Sequence, residues 1–182
     1  MYYKKESEQC GSKVIQCEED LFDGNQKSEW NLSYWINPDR GELFFAEKVI
    51  LVEGQTDKVI IPALAAKLGV FKHSYTVIDC GAKQNIPLYI KLMNKFKIPY
   101  VAVYGKDHQK NKSEQAIGAI DSTTKAILDE INNKLGLSVE LVNDIEEELG
   151  HGCGKSGKPL RALKYIGSDD FQMSEIFAEK LE

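Results

Sequence analysis

The side chains best suited to chemistry are carboxylates that fall just after short apolar runs. Glu53-Gly54-Gln55-Thr56-Asp57 follows Lys48-Val49-Ile50-Leu51-Val52, and Gly105-Lys106-Asp107 follows the run from Pro99 to Tyr104. Asp144-Ile145-Glu146 comes after a third run, Ser138 to Val142. Such runs read as buried parallel strands, and ligands gather outside the carboxyl ends of parallel strands. Carboxylates converging there repel one another unless cations neutralise them, and hard oxygen ligands suit Mg2+ or Mn2+. Gly54 permits a sharp turn that aims Glu53 into the crevice, and Asp57 follows one helical turn later. The plain alternative is that Asp57 and Asp144 cap helices by accepting free backbone N–H groups. Spacing alone supports an acidic divalent-metal site and nothing finer.

Elements that could hold these acids alternate along the chain. After the strand at 48–52, Val59, Ile60, Leu64 and Leu68 recur at helical spacing, with Gly69 as the stop. Tyr75 to Ile78 is a second strand, and Tyr89, Leu92, Met93 and Phe96 share one face of a second helix. The strand at 99–104 leads to a long helix carrying Ile117, Ile120, Ile127, Leu128, Ile131 and Leu135. A fourth strand covers Ser138 to Val142, an acidic segment at 143–149 opens a helix, and a glycine-rich loop and two short helices close the chain. This alternation predicts an α/β fold with a central, mostly parallel four-stranded sheet and helices on both faces.

Residues 1–40 are polar and irregular, with turn signals at Asp23-Gly24-Asn25 and Asn37-Pro38-Asp39 around the aromatic run Trp30 to Ile36. That run is a short strand or a docking surface, and Trp30, Tyr34 and Trp35 read as a packing anchor before a base-stacking platform. The segment looks unable to fold alone, which sets the expected domains at 1–46, an extension or the remnant of a preceding domain, and 47–182.

The 182 residues carry 28 acidic and 23 basic side chains, a formal charge of -5. That balance excludes a generic nucleic-acid coat, which needs excess Lys and Arg against phosphate. No stretch approaches the roughly 20 apolar residues that span a bilayer, and the polar start lacks a signal-peptide core. Cys10, Cys17, Cys80 and Cys153 are scattered and fit no usual zinc spacing, as expected of reduced thiols in the cytoplasm.

The run from Phe44 to Asp57 resembles the opening of the Toprim domain in nucleases of the OLD (overcoming-lysogenization-defect) family. Gly81-Ala82-Lys83-Gln84-Asn85-Ile86-Pro87 and the run from Phe96 to Val103 are similar to that family as well. The likeness covers most of residues 41–165. It implies a Toprim fold, Mg2+- or Mn2+-dependent endonuclease cleavage of DNA, a role in phage defence and, in full-length relatives, an ABC-type ATPase domain before the nuclease. By the same resemblance Glu53 matches the first catalytic glutamate and Asp57 the acid four positions on. Asp107 matches the second aspartate of an Asp-x-Asp motif, and Asp144 and Glu146 match later metal ligands. Lys158 stands where the family has a lysine that stabilises charge on phosphate.

One departure bears on activity. Gly105 stands where the family has the first aspartate of Asp-x-Asp, so one carboxylate ligand is missing. Water or the neighbouring Lys106 is expected in that vacancy, weakening two-metal cleavage, which needs ions about 4 Å apart. The alternative to an active nuclease is a Toprim module that binds DNA or a partner ATPase without cutting. A receiver-like domain shares acidic strand ends but is disfavoured by the missing aspartate and the Glu-Gly opening.

Other signals carry less. Gly152-Cys153-Gly154-Lys155-Ser156 imitates a phosphate loop, but Leu149 stands where the first glycine belongs. Lys91, Lys95, Lys97, Lys106, His108, Lys110 and Lys112 form a basic stretch that could track a DNA backbone or face solvent. His73, His108 and His151 read as surface histidines.

Overall fold

A computed structural model describes residues 41–150 and 157–172, together with the backbone of residues 2–5 and 12–15. Two short strands, β1 (Tyr2–Lys5) and β2 (Ser12–Ile15), pair antiparallel with Tyr2 opposite Ile15. Neither shows the polar/apolar alternation that marks a strand in sequence, which is why this stretch reads as irregular.

The main body is a four-stranded parallel sheet built from β3 (Lys48–Val52), β4 (Tyr75–Asp79), β5 (Tyr100–Gly105) and β6 (Gly136–Leu141). Their order across the sheet is β4-β3-β5-β6. The helices are α1 (Gln55–Lys67), α2 (Ile86–Phe96), α3 (Glu114–Glu130), α4 (Ile145–Glu148) and α5 (Lys158–Ile166).

Alternation along the strands sends side chains to two cores. Val49, Leu51, Tyr100, Ala102 and Tyr104 point to one face, where α2 and Ile127 of α3 cover them. Ile50, Val52, Val101, Val103 and Leu141 point to the other, against Ile60, Ile61 and Leu64 of α1, Ile145 of α4, and Ala162 and Ile166 of α5. Helices therefore lie on both faces, as the alternation of elements predicts. Removing one fully buried aliphatic such as Leu51 or Leu64 would cost about 2–5 kcal/mol.

The strand order fixes the site. From β3 the chain runs through α1 to β4 on one side, then through α2 back past β3 to β5. Connections leave β3 and β5 on opposite faces, so the crevice between their carboxyl ends stays open. In register, Val52 stands opposite Asp79, Leu51 opposite Ala102, and Gly105 opposite Leu141. The three acidic loops thus emerge at one edge.

Two local expectations differ from the structure. The long helix stops at Glu130: Ile131 leaves helical geometry with ψ 122, and Leu128 is exposed, so the apolar periodicity overran the helix. Gly54 is extended (φ -158, ψ -175), with nothing within 4 Å of a Cβ placed on it. A glycine is therefore not needed there to turn the chain. Gly69 (φ +73) does adopt the left-handed conformation expected of a helix stop.

Candidate metal centre

Glu53, Asp57, Asp107, Asp144, Glu146 and Lys158 all line one cavity of about 160 Å3, closed by Thr56, Val103, Tyr104, Leu141 and Ile145. A larger, mainly apolar groove on the α1 face, lined by Ile50, Val77 and Val139 among others, contains none of the acids. Chemistry belongs to the smaller cavity, because the five carboxylates that follow the strands converge there with Lys158.

Glu53 leaves the end of β3, and its Oε1 accepts the backbone N–H of Gly105 at 2.7 Å. Burial pushes its carboxyl from 4.5 up to about 7. The Gly105 N–H and, more weakly, the Lys83 charge oppose that rise, while the negative charges of Asp107 and Asp57 add to it. Asp57 is pushed up to about 6, again chiefly by burial, against the N–H groups of Gly54 and its own backbone, with Glu146 and Asp144 adding repulsion. Each acid of this pair is held where its ionised form lacks enough positive charge.

Asp57 and Asp144 also do what the plain alternative proposed. Asp57 Oδ2 accepts the Gly54 N–H at 3.2 Å, and Asp144 Oδ1 accepts the Glu147 N–H at 2.9 Å. Capping uses one oxygen of each carboxylate, and both residues still border the cavity. Glu146 pairs with Lys158 Nζ at 2.8 Å, the lysine standing at the first turn of α5. Asp107 sits in the left-handed region (φ +61), with its N–H donating to the Asn143 carbonyl at 3.1 Å.

The donor set fits a hard divalent cation. Five carboxylates border a space of about 160 Å3, room for an ion with several waters at roughly 30 Å3 each. Among the described residues, no three His, Cys, Asp or Glu side chains stand together closely enough to form a finished metal cluster. Waters or small side-chain movements would have to complete the coordination.

The expected vacancy at Gly105 is not there. A Cβ on Gly105 would overlap the Asn143 carbonyl oxygen and lie 3.0 Å from its carbonyl carbon. The loop after β6 has closed into the space where a side chain would begin, so glycine is required by close backbone approach. Lys106 does not fill the gap either, being exposed. The lysine that reaches it is Lys83, whose Nζ donates to the Gly105 carbonyl at 2.5 Å and lies 3.9 Å from Asp107 Oδ2. Sequence reasoning gave Lys83 no role. Its signal was its place two residues after Gly81, in the family-like run that follows β4.

Parts of the basic stretch are tied to acids. Lys91 pairs with Glu130 at 3.3 Å, Lys112 with Asp107 at 3.7 Å, and His108 Nε2 lies 2.6 Å from Asp121 Oδ1. Cys80 is buried with its thiol directed at the Ile78 carbonyl, 3.9 Å away, and His73 stacks edge-on against Phe71. Cys10, Cys17, Cys153, His151, the glycine loop around Lys155 and the aromatic cluster at Trp30 fall outside the described residues.

Residues 44–107 match the family described as overcoming lysogenization defect protein-like, TOPRIM domain. Over that stretch the chain is similar to an OLD-like Toprim domain. That match runs from the turn before β3 through Asp107, and so includes Glu53, Asp57, Lys83 and Gly105. The chain is also 27% identical over 158 residues to an OLD nuclease of Thermus scotoductus, covering 80% of this chain. It spans only 30% of that curated relative's length. Among solved structures, the C-terminal region of the Burkholderia pseudomallei OLD protein is similar at 17% identity, covering 75% of this chain and 81% of that one, with a TM-score of 0.47. The corresponding region of the Xanthomonas campestris pv. campestris OLD protein is similar at 22% identity, covering 78% of each chain, with a TM-score of 0.38. Among the described residues, no helix is long and apolar enough to cross a membrane.

Proposed function

We propose that this chain is a divalent-metal-dependent endonuclease domain acting on DNA phosphodiesters. The observation that carries the reading is the convergence of Glu53, Asp57, Asp107, Asp144, Glu146 and Lys158 on one cavity at the switch point of the sheet. The OLD-like Toprim match and the OLD nuclease relative support it.

The residues have distinct tasks in this proposal. Bound Mg2+ or Mn2+ would activate a water and neutralise charge on the phosphate. Glu53 and Asp57 would hold a cation on the β3 side, and Asp107, Asp144 and Glu146 on the β5–β6 side. Because Glu53 and Asp57 are raised to about 7 and about 6, cation entry would expel whatever protons they carry. Lys158, at the start of α5, would leave Glu146 to meet the phosphate, where its charge stabilises the developing negative oxygen. Residues 1–46 would be the junction with a preceding ABC-type ATPase domain or subunit and 47–182 the Toprim unit, a division in keeping with the small share of the relative that the chain spans.

A second reading rests on Gly105. With the Asn143 carbonyl in place of a carboxylate, the site has one fewer charged ligand, which favours a module that binds DNA or an ATPase without cutting. Nicking of supercoiled plasmid in Mg2+ or Mn2+, compared between the wild type and Glu53→Ala, separates the two. Nicking lost in Glu53→Ala supports the nuclease. DNA retention without nicking in either protein supports the binding module.

A further inference from the structure

Lys83 is the one buried cation among the described residues, at 7% exposure. Ammonium groups normally stay in water, and one taken from it must find partners. The loop after β4 fixes where this one goes. The Gly81 N–H donates to Asp79 Oδ1 at 2.6 Å, and Asn85 Nδ2 donates to the Cys80 carbonyl at 2.9 Å. A short 3-10 turn at Lys83–Asn85 then sends the Lys83 side chain across the Tyr104 ring, with Nζ 5.3 Å from its centroid. It ends on the Gly105 carbonyl and beside Asp107.

Gly105 is therefore held from both sides: its N–H donates to Glu53, and its carbonyl accepts from Lys83. Glu53 and Asp107 also border a second cavity of about 380 Å3, which Lys83 lines from the α2 side. The acidic centre thus has a covalently fixed positive charge at its β5 edge and Lys158 at its far edge.

We propose that Lys83 is a positioning residue that serves as the built-in counter-ion of this centre. It fixes the end of β5 and Asp107, and its charge weakens the hold on external cations near Gly105. The acids it faces are Asp107 and, across Gly105, Glu53. This assignment rests on the metal-dependent reading of the site. It has an unusual consequence, because removing the charge strengthens cation binding while it impairs cleavage.

The test titrates Mn2+ into metal-free protein, with free Mn2+ followed by electron paramagnetic resonance. Wild type, Lys83→Met, Lys83→Gln and Lys83→Arg are compared, each checked for folding by its melting curve. Loss of one fixed charge at this range should tighten Mn2+ by about tenfold in the Met and Gln variants. Plasmid nicking should fall in the same two variants, and Arg should restore wild-type affinity. Glutamine keeps a donor for the Gly105 carbonyl, so wild-type Mn2+ affinity in Lys83→Gln would reduce Lys83 to a structural hydrogen bond and overturn the proposal. If Lys83→Met does not fold, the contrast between Gln and Arg decides alone. One affinity shared by all the folded proteins overturns the Lys83 assignment only. No Mn2+ bound by any of them overturns the metal-dependent reading as well.

Discussion

The backbone N–H of Gly105 donates to Glu53 Oε1 at 2.7 Å, joining the end of β5 to the first acid after β3. That N–H and the nearby Lys83 charge do not offset the burial of the carboxylate, which is why Glu53 is raised to about 7. The same bond ties the position of this acid to Gly105, the residue against which the Asn143 backbone closes.

Metal-free protein should lose stability as pH rises. Glu53 and Asp57 have folded values above their ordinary 4.5 and 3.8, so the unfolded chain releases their protons first. Their contribution is favourable below about pH 4 and is lost as pH climbs toward about 7. The loss is on the order of 1–3 kcal/mol after discounting for solvent in the cavity. Thermal melts from pH 4.5 to 8 should show it, and Glu53→Gln should flatten the decline. Saturating Mn2+ should raise the wild-type melting temperature most at the upper end of that range. A wild-type melting temperature independent of pH and Mn2+ would contradict this account.

Gly105→Asp should not restore a carboxylate ligand. Its Cβ meets the Asn143 backbone, so the 143–144 loop must move, at about 1–3 kcal/mol. For a chain of this size that is a fall of roughly 2–4 °C in melting temperature per kcal/mol. Gly105→Ala should show nearly the same loss, since the clash begins at Cβ. A Gly105→Asp protein as stable as wild type, with stronger nicking, would show that the loop yields freely.

Asp144 can be divided into its two tasks. Asparagine caps helices about as well as aspartate, so Asp144→Asn should keep stability within about 0.5 kcal/mol while weakening Mn2+ binding. Asp144→Ala should weaken binding and also lose about 1 kcal/mol from the start of α4. Equal Mn2+ affinity in wild type and Asp144→Asn would leave Asp144 as a cap alone.

Lys158→Met should lower the rate of nicking by roughly 10²-fold, with little loss of Mn2+ affinity. Removal of the ammonium frees Glu146 from its 2.8 Å ion pair, so cation binding is expected to hold or tighten. Single-turnover cleavage together with Mn2+ titration checks both halves. A matching drop in affinity and rate would place Lys158 in the architecture of the metal site instead.

Much of the fold and the ring of acids was legible in the sequence. Val49–Val52 is a short apolar run with β-branched residues, which reads as a strand covered on both faces. The repeating apolar positions of α1 and α2 and the stop at Gly69 are equally local signals, so acids placed directly after strands could be assigned to one edge of a sheet. What sequence could not supply were relations between loops distant along the chain. Gly105 read as a missing ligand, but its meaning depends on Asn143, whose backbone reaches it only because β6 pairs with β5 in one register. Lys83 carried no role in the sequence beyond its place in a family-like run, and only the packing of the β4–α2 turn against Tyr104 buries it on the acidic centre. Local pattern determines which element a residue joins, whereas close approach and charge compensation are decided by tertiary contacts that no periodicity encodes.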